Sequence, residues 1–403
     1  MRPCGSRDPR NFVPIIIRSM TRPVAPTQTP PGLLGDLSRE VFLRRRWQKR
    51  PLLVRDAIPD CGHWLQPATL FELASRDEVA SRLVMRVHGR WSVRHGPFQR
   101  SELRRLPSRG WTLLVQGVEQ HLRQASDLLQ FFSFIPHARL DDLMVSYAPP
   151  GGGVGPHFDS YDVFLLQGAG TRRWRISAQK DLDLIENAPL RILKNFRHTQ
   201  EWNTAQGDLL YLPPRYAHDG VATEACMTLS VGFRAPRKQE LASRFLEFLQ
   251  DELSPSGKPD ALYTDHDLQL QQHPAELSAA MLTRISHALR QIRWDERDVQ
   301  QFAGRYLSEP AAQTVFIRPR RAAALPAFAR HVAAKGVRLA LPTRMLFRGN
   351  AVFINGENHP LPARDRAAIV RLADRREVPA FMPSSGAAHL LYAWYCAGYV
   401  ELC

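Results

Sequence analysis

Gly155-Pro156-His157-Phe158-Asp159-Ser160-Tyr161-Asp162-Val163-Phe164 is the stretch on which the reading of this chain turns. In a β-strand, residues two apart point to the same face. Read as the opening of a strand over 157–167, the stretch presents the His157 imidazole and the Asp159 carboxylate side by side and turns Phe158 away. A second segment, Gly207-Asp208-Leu209-Leu210-Tyr211-Leu212-Pro213-Pro214-Arg215-Tyr216-Ala217-His218, is a strand and turn that can bring His218 in from across a barrel. Two imidazoles and one carboxylate on one face of an octahedral ion leave three positions open. That is what a non-haem Fe(II) oxygenase needs for a bidentate oxo-acid and dioxygen. A His-x-Asp pair alone is weak, and the plainer reading makes His157 and His218 polar residues satisfied at a barrel mouth. The flanking turns favour ligation: Gly151-Gly152-Gly153 leads into His157, and the Pro213-Pro214 turn leads into His218.

The same logic extends to the neighbouring strands. After the turn Gly168-Ala169-Gly170-Thr171, alternation sends Arg172 and Trp174 to one face and Arg173 and Arg175 to the other. An inward arginine needs a counter-charge, because an unpaired buried charge is costly. A bound dicarboxylate would supply it through a forked guanidinium–carboxylate contact; an exposed basic strand is the alternative. Ser146, Thr228 and Ser230 are positioned by alternation to offer hydroxyls to the same carboxylate, although such residues in strands often only fill space.

Working outward, 36–48 reads as a capped helix, 52–54 and 110–118 as strands, and 119–130 as a helix. Between Leu143 and Pro236 short β-rich runs alternate with Gly/Pro turns, which predicts an all-β barrel or sandwich. Beyond Pro236 the period changes to that of helices, with Leu241, Phe245, Leu246, Phe248 and Leu249 on one broad stripe and further helices at 275–292 and 296–308. Residues 254–260 form a natural break. A hairpin over Met345–Ile354 turns at Gly349-Asn350, and two helices follow near 363–376 and 386–397.

The chain's 54 Lys and Arg against 39 Asp and Glu leave a net charge of +15, which favours polyanionic neighbours such as ribosomal RNA, or reflects an arginine-rich genome. No run approaches the roughly 20 apolar residues that span a bilayer, so no membrane role is expected. The five cysteines (Cys4, Cys61, Cys226, Cys396, Cys403) are odd in number and scattered, which argues against a disulfide framework and for a reducing cytoplasm. Val13-Pro14-Ile15-Ile16-Ile17 is too short and too broken for a secretory signal. Met20, just before the proline-rich lead-in at 21–32, is an alternative start to Met1.

These motifs resemble a known family. Gly151-Gly152-Gly153-Val154-Gly155-Pro156-His157-x-Asp159-x-Tyr161-Asp162-Val163-Phe164, the Gln167-Gly168-x-Gly170-x-Arg172-Arg173-Trp174-Arg175 run and the Gly207–His218 turn are similar to the bacterial ribosomal oxygenases, JmjC-like members of the cupin superfamily. Phe42–Leu53 and Ser230–Pro236 fit too, so the likeness covers most of 33–237. It implies an α+β architecture: a mobile segment at 1–32, a double-stranded β-helix (33–237), a helical dimerisation domain (238–314) and a winged-helix-like domain (315–403). It implies Fe(II) held by His157, Asp159 and His218, 2-oxoglutarate anchored by Arg172, and O₂ as co-substrate. It also implies a homodimer, and a ribosomal protein substrate: an arginine of large-subunit protein sixteen, or a ribosomal histidine as in eukaryotic relatives. Two other readings remain in play. One is a cupin isomerase or dioxygenase independent of 2-oxoglutarate. The other is a ribosome- or nucleic-acid-binding assembly factor with a non-catalytic barrel.

Overall fold

The computed structural model describes residues 30–253 and 262–403. The alternative start at Met20, most of the 1–32 segment and the break at 254–260 lie outside them. The chain enters through α1 (Arg39–Arg45), where the Ser38 hydroxyl accepts the Val41 N–H at 3.3 Å and Arg44 and Arg45 sit at the negative end of the helix. The helix is shorter than the expected 36–48, because its cap is Ser38 and Gln48 adopts a φ of +57°. Next come β1 (Leu52–Val54), α2 (Pro67–Leu73), the hairpin β2 (Ser81–Val87) and β3 (Arg90–His95), α3 (Arg100–Arg104), β4 (Trp111–Val115) and α4 (Arg123–Gln130). The barrel strands are β5 (Leu140–Ala148), β6 (Val163–Ala169), β7 (Arg172–Ser177), β8 (Gln200–Thr204), β9 (Leu209–Leu212), β10 (Ala217–Ala222) and β11 (Cys226–Phe233).

These strands form a large sheet, β1-β9-β6-β11-β5-β4-β2-β3, and a small one, β10-β7-β8, both antiparallel throughout. Period-two alternation divides the apolar residues between two layers. Val163, Leu165, Leu210 and Leu212 face Trp174 and Ile176 of the small sheet. Their neighbours Phe164, Leu166, Leu209 and Tyr211 face outward, into a core that includes Phe42, Phe132 and Phe233. Phe164 is at the centre of that core, its ring centroid 4.8 Å from those of both Phe132 and Tyr211. The result is the expected double-stranded β-helix.

Two local expectations are corrected. The strand expected over 157–167 begins only at Val163, because the Asp159 carbonyl is taken by the turn after β9, where the Arg215 N–H donates to it at 2.7 Å. The helix expected over 119–130 is a 3₁₀ turn (Val118–Gln120) followed by α4, because the Glu119 carboxylate turns away to accept the Leu143 N–H at 2.9 Å.

After the barrel come α5 (Lys238–Leu253), α6 (Ala279–Arg290) and α7 (Glu296–Ser308). The remainder is α8 (Leu325–Lys335), β12 (Val337–Leu339), β13 (Met345–Arg348), β14 (Ala351–Ile354), β15 (Glu357–Pro360), α9 (Arg366–Arg375), β16 (Glu377–Val378), α10 (Ser385–Ala397) and β17 (Val400–Leu402). It has its own core, centred on Phe328, Val332, Leu372, Leu391 and Trp394. The β13–β14 hairpin pairs Met345 with Ile354 around Gly349-Asn350, as expected. α7 packs on this hairpin: a Cβ at Gly304 would lie 2.4 Å from the Phe353 ring, and Ser308 Oγ accepts the Gly356 N–H at 3.1 Å. Among the described residues no helix is long and apolar enough to cross a membrane.

Phe164 is fully buried at the centre of the core on the outer face of the large sheet. Phe164→Ala should therefore destabilise the protein by about 3–5 kcal/mol, the usual cost of removing a core phenyl ring. Urea unfolding reads this directly, and a loss under about 1 kcal/mol would show that the ring is not a packing centre.

Candidate metal centre

His157 and His218 meet through their backbones. The His157 N–H donates to the His218 carbonyl at 2.9 Å and the His218 N–H to the His157 carbonyl at 2.8 Å, an isolated bridge between the loop before β6 and the start of β10. Asp159 joins them although it is not in a strand, because the turn after β9 holds its carbonyl at Arg215. Arg215 has a φ of +64°, which bends the chain sharply enough for this contact. The imidazole centroids lie 4.2 Å apart, and His218 Nε2 is 3.6 Å from Asp159 Oδ2. Ligating atoms of the three residues all fall within 4.8 Å of one another, and no other group of three or more such side chains occurs among the described residues.

The approach of backbone to backbone here demands glycine. A Cβ at Gly153 would sit 2.6 Å from the Gly220 carbonyl oxygen, and one at Gly220 only 2.4 Å from the Trp174 ring. The Gly-rich run before His157 thus lets the loop lie flat on β10.

Both imidazoles are oriented by carbonyls. His157 Nδ1 lies 2.9 Å from the Gly155 oxygen and His218 Nδ1 2.9 Å from the Tyr216 oxygen. A carbonyl can only accept, so each Nδ1 carries the proton and each Nε2 keeps its lone pair for a metal. Burial, then the neighbouring His157, push His218 from its ordinary 6.5 down to about 4, which keeps it in the neutral, ligating form.

The trio opens into a cavity of about 350 Å³ between the two sheets. A larger cleft of about 1010 Å³ lies between α7, β13–β14 and residues 133–138, but it holds no ligating cluster, so the smaller cavity is the chemical one. Arg172 lines that cavity and is 4 % exposed. Its Nε has no partner, its Nη2 reaches only the Cys226 thiol at 3.6 Å, and it makes no ion pair with a described carboxylate. On the opposite face of the same strand, Arg175 pairs with Asp219. Ser146, Thr228 and Ser230 also line the cavity; the Ser146 hydroxyl donates to the Thr228 carbonyl at 3.5 Å and the Thr228 hydroxyl to Gln167 Oε1 at 3.1 Å.

The sequence reading missed Arg82, Asp142, Met144 and Tyr161, which line the cavity as well. A signal for two of them was available: on β5, Asp142 and Met144 share the face of Ser146 by period two. Desolvation, then repulsion from Asp141, raises Asp142 to about 6.

Because His218 has a lower value folded than unfolded, its contribution to stability is complete above about pH 6.5 and is lost as pH falls towards 4. NMR titration of the metal-free protein should find this imidazole still neutral at about pH 5.5; protonation near 6.5 would contradict its burial.

Comparison with known proteins agrees with the site. Residues 127–241 match the model of the JmjC domain and residues 291–401 that of the ROXA-like winged helix. The chain is 37 % identical over 272 residues to the ribosomal protein uL16 3-hydroxylase of Escherichia coli, covering 66 % of this chain and 70 % of that protein. The solved structure of YcfD, a ribosomal oxygenase from Escherichia coli, superposes with a TM-score of 0.77 at 31 % identity, covering 91 % of this chain and 98 % of that one. YcfD in complex with cobalt and 2-oxoglutarate matches equally, with a TM-score of 0.77 at 32 % identity over 91 % of this chain and 98 % of that one. Fold, site and sequence thus agree, and the chain belongs to the ribosomal oxygenases, JmjC-domain enzymes of the 2-oxoglutarate-dependent class.

Proposed function

We propose that His157, Asp159 and His218 hold Fe(II), that Arg172 binds the far carboxylate of 2-oxoglutarate, and that the substrate is an arginine of large-subunit ribosomal protein sixteen. The observation that carries this reading is the pairing of features in one cavity: three converging metal-binding atoms and a buried guanidinium without a carboxylate. The donor set fits an octahedral ion with open positions. The iron, when bound, supplies the oxidative chemistry with O₂ and 2-oxoglutarate.

The chain's own residues supply the rest. The carbonyls of Gly155 and Tyr216 hold the imidazoles so that Nε2 faces the ion. The hydroxyl-bearing Ser146, Thr228 and Ser230 border the same space as Arg172. Val163, Leu165 and Trp174 form an apolar wall that limits water. Asp142, beside Met144 and Tyr161, offers a carboxylate to a cationic side chain; an incoming guanidinium favours the ionised form of that acid. This favours arginine over a neutral histidine. The Escherichia coli relative is named for uL16, in agreement with the large-subunit substrate.

Purified enzyme, Fe(II), 2-oxoglutarate and ribosomal protein sixteen should yield a product heavier by one oxygen, located on arginine by fragmentation. His157→Ala should abolish this while retaining the fold. Arg172→Ala should raise KM for 2-oxoglutarate roughly 30-fold or more, since losing one partner of a buried charge pair costs about 2–5 kcal/mol. Oxygen added to histidine, or turnover by His157→Ala, would refute the reading.

A homodimer is part of the proposal. Leu246, Leu282, Ile285, Leu289 and Trp294 are exposed on and beside α5 and α6, an apolar display that a second copy would cover. Light scattering should give twice the chain mass, and Ile285→Asp together with Leu289→Asp should give a monomer. The charge of +15 supports ribosomal RNA as a neighbour, and the unpaired, buried thiols of Cys61 and Cys226 suit a reducing cytoplasm.

A further inference from the structure

β5 lines the cavity at Asp142, Met144 and Ser146, and its first residues are held from outside the barrel. Arg344, in the loop before β13, donates from Nη2 to the Asp141 carbonyl at 2.6 Å and from Nη1 to the Leu140 carbonyl at 3.4 Å. The same Nη2 lies 3.8 Å from Asp141 Oδ1. The Arg344 loop is itself fastened: Arg376, at the end of α9, donates to the carbonyls of Ala340, Leu341 and Thr343 at 2.8–3.0 Å.

Arg344 stands among acids. Glu119, Asp141 and Asp142 all interact with it, and Glu119 and Asp142 repel each other inside the protein. The Leu143 N–H donates to the Glu119 carboxylate at 2.9 Å. Of the two guanidinium groups that favour ionised Asp142, Arg344 acts more strongly than Arg82, although only Arg82 lines the cavity. The Arg344 charge favours the ionised form of Asp142, the form that can accept a cation.

We infer that Arg344 is a positioning residue for the hydroxylation site: from the winged-helix end of the chain its guanidinium fixes the start of β5, and with it the place of the Asp142 carboxylate, and so sets affinity for a cationic substrate side chain without touching it. The inference rests on the reading of Asp142 as the acceptor of that side chain.

Steady-state kinetics on ribosomal protein sixteen test it. Arg344→Met should raise KM for the protein substrate about fivefold or more. KM for 2-oxoglutarate and the slow 2-oxoglutarate turnover without substrate should stay at wild-type values. Arg344→Lys should restore most of the affinity. Arg344→Gln is shorter and lacks the fork that reaches both the Leu140 and Asp141 carbonyls; it should show the same rise, and is the variant to use if the methionine protein fails to melt cooperatively. Combining Arg344→Met with Asp142→Asn should be no worse than Asp142→Asn alone, whereas a merely structural role gives additive losses. Wild-type KM in the Met and Gln variants, or additivity in the double mutant, overturns the inference while Asp142 keeps its role. Wild-type KM in Asp142→Asn overturns the reading beneath it as well.

Discussion

The reciprocal backbone bridge between His157 and His218 is the constraint on which the site depends. Each residue gives its N–H to the other's carbonyl, so the two imidazoles are brought together by main-chain geometry before any metal acts on them. The loop before the bridge lies close on β10 because Gly153 leaves room for the Gly220 backbone, and Gly220 in turn leaves room for the Trp174 ring. The bridge also spans the two sheets, since His218 opens β10 of the small sheet while the His157 loop runs into β6 of the large one. Packing of Val163, Leu165, Leu210 and Leu212 against Trp174 and Ile176 holds the sheets at the spacing the bridge needs.

Much of this was legible in the sequence, for physical reasons that differ by residue. The β-rich runs and their turns announced a barrel because period two and Gly/Pro punctuation are local properties. Arg172 was legible because alternation on one strand sends it inward with Trp174. The grouping of His157 and Asp159 was expected for a reason the structure replaces: they converge through the His218 bridge and the Arg215 turn, not as neighbours on a strand. Turns with a positive φ at a non-glycine residue, as at Arg215, carry no clear sequence signal. Asp142 and Tyr161 were missed because the sequence reading followed hydroxyls and ligands, and the Asp141-Asp142 pair at a strand start looks like a solvated edge. The hairpin β2–β3, which supplies Arg82 to the cavity, lacks a strong alternation and was not foreseen.

Buried charges in this protein fall into two groups, and the division separates support from chemistry. Asp162 is fully buried and satisfied: Tyr211 Oη donates to it at 2.6 Å, Gln48 Nε2 at 2.9 Å, and Arg139 lies 3.6 Å away. Arg175 has Asp219. These pairs complete themselves within the chain and fix the α1–β1 turn and the small sheet. Arg172 and the half-buried Asp142 do not complete themselves: the guanidinium has a thiol where a carboxylate belongs, and the acid faces the cavity. Burying a charge without a full partner is costly, and here two such groups of opposite sign line one cavity. Their signs are opposite, which fits two different guests, an anionic co-substrate end and a cationic side chain, in one cavity with three ligating groups. The incompleteness of these two residues, more than the histidines themselves, distinguishes this cavity from a barrel interior that merely contains polar residues.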